Sequence, residues 1–117
     1  MADLPTIFTI GHGARSIDAF LSLLAAPDVG RLIDVRTAPA SRKHPHFGKE
    51  ALADTLERNG IEYVWRKELG GWRRPAPDSR HVALRSPGFR GYADHMESAE
   101  FRDVVTWLID SSRDTPT

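Results

Sequence analysis

The sequence predicts an α/β fold, three-layered, on a mostly parallel sheet with a β-α-β-α-β start and two C-terminal helices. Three observations carry this. Short β-branched and aromatic runs alternate with segments of helical apolar spacing over the first 65 residues. Gly and Pro separate them. A further helical period then closes the chain, after a long stretch rich in Gly, Pro and Arg.

In order, Thr6-Ile7-Phe8-Thr9-Ile10 reads as a strand ended by Gly11. Ser16 stands at an N-cap position, with Ile17, Phe20, Leu21 and Leu24 following on one helical face and Pro27 stopping the helix. Arg31 to Arg36 is a second strand, and Thr37 to Phe47, with its prolines, is a loop. A second helix is expected from about Lys49 to Asn59, with Leu52 and Leu56 inward and Gly60 as its stop. Ile61 to Trp65 is a third strand. Right-handed crossovers make these strands parallel. Residues from roughly Lys67 to Gly88 form an irregular stretch of a length that is usually functional or disordered. A short helix is expected over Arg90–Glu97. A firmer one starts after Ser98, carrying Phe101, Val104, Val105 and Leu108. The whole chain, 1–117, reads as a single domain whose polar tail, about 111–117, is expected to fray.

Composition bounds the chemistry. With 117 residues and 40% hydrophobic content, the chain can build one modest core. No apolar run approaches bilayer-spanning length and the N-terminus lacks the features of a signal peptide, so a cytoplasmic location without a membrane partner is expected. Cysteine is absent, which excludes disulfides, Cys-based zinc sites and a cysteine nucleophile. Five histidines without a His-Glu-x-x-His helix give no metal signature, and no cofactor is implied. Net charge is zero but unevenly spread: −2 over residues 1–30, +6 over 31–90 and −4 over 91–117. A basic middle can focus potential on one face, or can pair with the acidic ends.

Ligands of parallel α/β sheets bind beyond the carboxyl ends of the strands. Three segments follow strand ends here: Gly11 to Arg15, Arg36 to Phe47, and Lys67 to Arg74. Together they offer Arg15, Arg36, Arg42, Arg73 and Arg74, whose planar forks suit phosphate or carboxylate. Gly11 and Gly13 would let backbone N–H groups approach an anion near the start of the first helix. His12 is the candidate general acid–base, or else pins its turn through a backbone bond. Asp34 shares a strand face with Arg36 and can orient Arg36 or His12, or serve as a buried structural partner. Ser41 can contact phosphate but has no triad to make it a nucleophile. Trp72 can stack on a base or fix its loop, whereas Trp65 and Trp107 read as core. The expected ligand is a phosphate-bearing small molecule or a nucleic acid. The alternative is an interaction module without catalysis.

The ordered motifs Thr9-Ile10-Gly11-His12, Asp34-Val35-Arg36, Pro39, Ser41-Arg42, Pro45, Phe47, and Leu69-Gly70-Gly71 with Arg73 or Arg74 resemble the domain-of-unknown-function family numbered 488. Gly91-Tyr92-Ala93 and Met96 look similar too, so the resemblance covers about residues 6–109. It implies no activity. Members of that family continue with another strand and a cysteine-bearing segment, so the resemblance implies that this sequence corresponds to their N-terminal two-thirds. A strand edge would then be exposed and would invite a homodimer. Leu32 to Arg36 also looks like the Asp-Val-Arg strand of rhodanese domains, whose chemistry needs a cysteine, so a rhodanese- or phosphatase-like scaffold lacking that cysteine is a further alternative.

Overall fold

The computed structural model describes residues 6–40, 42–70 and 77–117. Among them are four α-helices and one two-stranded parallel sheet, a mixed α/β architecture. Helix α1 spans Ile17–Ala25, and the Ser16 hydroxyl accepts from the Ala19 N–H, satisfying one of its otherwise unpaired donors. Strand β1, Arg31–Asp34, pairs with β2, Glu62–Trp65, in a register that sets Arg31 opposite Glu62 and Asp34 opposite Trp65. Helix α2, Lys49–Arg58, is the crossover between them. It ends where Gly60 takes φ +75° and the Ile61 N–H reaches back to the Leu56 carbonyl at 2.9 Å.

The core follows from these faces. Phe20 and Leu24 of α1, Leu32 of β1, Leu52 and Leu56 of α2, and Phe47 form one buried cluster with Val29 and Ile61. All lie on the α1–α2 side of the sheet. Helix α3, Pro87–Met96, begins three residues earlier than expected, because Pro87 fits the first turn, where no N–H is needed. Helix α4, Ala99–Ser111, is capped by Ser98 and packs against α3 and the one-turn helix Lys67–Leu69.

Two expectations are revised. Strand β1 stops at Asp34 rather than Arg36, because the Asp34 carboxylate accepts the Arg36 backbone N–H at 3.1 Å and diverts it from the ladder. Residues 6–10 do not form a strand. Their composition favours one, but a strand needs a partner edge, and this segment's one bond of that kind is Phe8 N–H to the Thr117 carbonyl at 3.0 Å. In the C-terminal tail the Pro116 carbonyl accepts from Gly30 and Arg31, and Thr117 is buried. The molecule's radius of gyration is 16.0 Å, against roughly 13 Å for a closed domain of this length. Among the described residues no helix is long and apolar enough to cross a membrane.

Candidate functional site

The carboxyl end of β1 is organised by a buried charge. Asp34 receives Arg36 Nε at 2.9 Å and Nη2 at 2.7 Å, a two-pronged pair, and the Tyr63 hydroxyl donates to the same carboxylate at 2.6 Å. Burial alone would raise the Asp34 pKa. The hydrogen bonds from Arg36 and Tyr63 outweigh it and hold the carboxyl below its ordinary value. The same bond to Asp34 raises Arg36, and burial together with Asp34 pushes the Tyr63 phenol up. All three groups therefore stay in one charge state near neutrality: carboxylate, guanidinium and neutral phenol. The Trp65 indole N–H donates to the Arg36 carbonyl at 2.7 Å and fixes the turn that follows. Arg36 Nη1 is buried and has no hydrogen-bond partner among the described residues.

The turn Gly11–Arg15 faces this cluster. It is closed by Arg15 N–H to the His12 carbonyl at 3.0 Å and by Arg15 Nη1 to the Gly11 carbonyl at 2.7 Å. Gly13 sits at φ +52°, a conformation that side chains resist. His12 Nδ1 lies 2.8 Å from the Gly13 carbonyl and can only donate there, so in the neutral ring it is Nε2 that carries the lone pair. The His12 ring stacks on Phe47 at 4.5 Å. His46 also leans on Phe47, and its Nε2 donates to the Arg15 carbonyl at 3.1 Å, tying the loop before α2 to the first turn. His44 completes the group, 6.3 Å from His12 and 5.9 Å from His46 between ring centres.

These parts border an open cleft of about 390 Å³ lined by Gly11, His12, Gly13, Asp34, Arg36 and Phe47 among others. So the structure brings together five of the sequence-predicted residues, Gly11, His12, Gly13, Asp34 and Arg36. Arg15 lines the adjoining cavity. Arg42 lines neither and stands exposed beside Lys43. Ser41, Arg73, Arg74 and Trp72 lie outside the described residues. Trp65 and Trp107 are half-buried rather than core: Lys49 Nζ lies 3.9 Å over the first ring, and the Arg66 guanidinium 4.1 Å over the second. Among the described residues no cluster of metal-ligating side chains forms.

With that geometry in view, the comparisons with known proteins are informative. A family model described as "Domain of unknown function DUF488" matches residues 16–117. This chain belongs to that family. The DUF488 match takes in Asp34, Arg36 and the histidine-bearing loop, and starts just after the Gly11–Arg15 turn. The chain is also similar to the oxygenase component of 3-ketosteroid-9-alpha-monooxygenase from Rhodococcus rhodochrous, 29% identical over 83 residues. The match covers 62% of this chain and 20% of that protein, so the chain spans about a fifth of that relative's length. No solved structure matches.

Two participants were missed by sequence reasoning. Tyr63 reaches Asp34 through the β1–β2 register, which no local pattern reveals. A second polar cluster joins the loop before α3 to that helix: His81 Nε2 meets Glu97 at 2.5 Å, and Ser79 Oγ donates to Asp94 at 2.7 Å. Ser79 thus gives its hydroxyl proton to a carboxylate rather than to a histidine ring, and accepts the His81 backbone N–H at 3.3 Å, which is not the arrangement of an activated nucleophile.

Proposed function

We propose that this DUF488 domain binds a phosphate-bearing anion in the cavity between the Gly11–Arg15 turn and the end of β1. The observation that carries the reading is the pairing of His12 with Arg36 across one small cavity. Each is held in orientation by a second group, the Gly13 carbonyl and the Asp34 carboxylate. Asp34 is the carboxylate in that lining and is already matched by Arg36, so the exposed Arg15, Arg42 and Lys43 of the flanking loops set the local sign. Arg36 Nη1 is the guanidinium donor that the pairing with Asp34 leaves unused, and an anion oxygen that reaches it would satisfy it. His12 Nε2 suits it to accept a proton from a ligand hydroxyl or, when protonated, to donate to a phosphate. Ser41, Arg73 and Arg74 remain proposed members of the ligand set.

Titration calorimetry at low salt with inorganic phosphate, a nucleoside monophosphate and a short oligonucleotide tests this. Binding weakened about tenfold or more by His12→Ala and by Arg42→Ala supports it. Absence of binding to all three probes contradicts it. Affinity that falls steeply with salt assigns the site to nucleic acid, and a shallow dependence assigns it to a small phosphate ligand.

A further inference from the structure

Among the described residues that line the cleft between the Gly11–Arg15 turn and the end of β1, two side chains carry a lone pair able to attack an electrophile, Asp34 and His12. Helix α1 contributes Phe20 and α2 contributes Leu52, both apolar, and the described lining holds no hydroxyl or thiol. Asp34 is engaged: its carboxylate accepts from Arg36 Nε, Nη2 and backbone N–H and from the Tyr63 hydroxyl. His12 is engaged at one nitrogen. Nδ1 donates to the Gly13 carbonyl, and among the described residues no hydrogen bond reaches Nε2. The ring lies nearly flat against Phe47, at 22° between planes, and Phe47 is fully buried. A flip of the ring would exchange the two nitrogens and break the bond to Gly13. His44 and His46 do not line the cleft.

A nucleophilic nitrogen needs its lone pair free and its product charge stabilised. Both conditions are met at His12. When Nε2 bonds to an electrophile the ring becomes cationic, and the Nδ1–H bond to the Gly13 carbonyl becomes charge-assisted and stronger. Across the cleft, Arg36 Nη1 is an unused donor for the oxygens of a transferring phosphoryl group.

We infer that His12 Nε2 is a nucleophile that takes a phosphoryl group from an acyl phosphate and forms a phosphohistidine; this step rests on the anion reading of the same cleft. The Nε2 lone pair forms the N–P bond as the P–O bond to the acyl oxygen breaks, and the carboxylate leaves with that electron pair. No proton moves: Nδ1 keeps its hydrogen and the ring carries the positive charge. Water then attacks phosphorus, the N–P electron pair returns to Nε2, and inorganic phosphate leaves with both hydrogens of the water. The class of donor follows from Asp34. Arg36 and Tyr63 hold it as a carboxylate, so it has no proton to give a departing alkoxide, whereas a departing carboxylate needs none.

The test is incubation of the full chain with acetyl phosphate, an alkaline quench, intact-mass measurement and peptide mapping. Exchange of labelled acetate into acetyl phosphate is followed in parallel, because it reports a phosphoryl-enzyme that forms without accumulating. The expected result is exchange together with a gain of one phosphoryl group at His12, lost in acid and kept in alkali. Both fall about tenfold or more in His12→Gln. A phosphoryl group mapped to His44 or His46, or one that persists in His12→Gln, overturns the inference. So does release of phosphate with neither adduct nor exchange, since His12 then acts as a base on water. Binding of inorganic phosphate at Gly11–Gly13 with neither adduct nor exchange overturns the nucleophile and leaves the anion reading standing, whereas absence of phosphate binding and of adduct removes both.

Discussion

Replacing Asp34 with asparagine keeps the side chain's volume and removes its charge, which isolates the electrostatic role of the cluster. Asp34 is buried, at 5% exposure, and it accepts from Arg36 Nε, Nη2 and backbone N–H and from the Tyr63 hydroxyl. In Asp34→Asn the amide N–H group faces the Arg36 donors, and the guanidinium loses its counter-charge. Breaking a buried pair by removing one partner costs about 3–5 kcal/mol. The Arg36 side chain keeps a quarter of its surface in water, which recovers part of that loss, so about 2–4 kcal/mol is expected. That is a large share of the roughly 5–15 kcal/mol that holds a domain together, and it corresponds to a Tm lowered by about 10–20 °C. Tyr63→Phe removes one bond to the same carboxylate and is expected to cost about 1 kcal/mol. Urea unfolding at neutral pH, followed by tryptophan fluorescence, measures both variants and their double. The double variant should fall short of the sum of the singles by at least about 0.5 kcal/mol, because both changes act on one carboxylate. A loss below about 0.5 kcal/mol in Asp34→Asn, or strict additivity, would refute the reasoning.

Other outcomes follow from the same structure. Stability should fall on both sides of neutrality for separate reasons. The lowered Asp34 pKa contributes stability that is complete above the unfolded value near 4 and is lost as pH falls through the folded value, so Asp34→Asn flattens the acid limb of a Tm-versus-pH curve. The raised Tyr63 pKa contributes stability that is present below the unfolded value near 10 and is lost as pH rises, so Tyr63→Phe flattens the alkaline limb. In Gly70→Ala a methyl group would sit 2.6 Å from the Val35 carbonyl and 2.7 Å from Thr37 Oγ1. Unfolding experiments should show a loss of about 2 kcal/mol or more, since both neighbours belong to the turn behind the site. Ser16→Ala removes the cap of α1 and should cost about 1 kcal/mol by the same measurement, with little effect on ligand affinity.

The helices and the β1–β2 pair were legible in the sequence because each signal is local. Leu52 and Leu56 repeat at helical spacing, Gly60 takes the conformation expected of a stop, and Ser16 and Ser98 cap the helices they precede. The pairing of Asp34 with Arg36 was legible for the same reason, since residues two apart in a strand share a face. Residues 6–10 were not, because strand propensity does not supply a partner edge. The main-chain bonds of Pro116 and Thr117 had no signature, because side-chain polarity is blind to them. Tyr63 depends on strand register, and the stacking of His12 and His46 on Phe47 depends on how two loops meet, so neither had a signature at fixed spacing.

Amide NMR of the full chain, titrated with inorganic phosphate at low salt, tests most directly whether an anion binds between the Gly11–Arg15 turn and the end of β1. The predicted result is saturable shifts centred on Gly11, His12, Gly13 and Arg36, lost in His12→Ala. Shifts confined to other regions, or none up to millimolar phosphate, would contradict it.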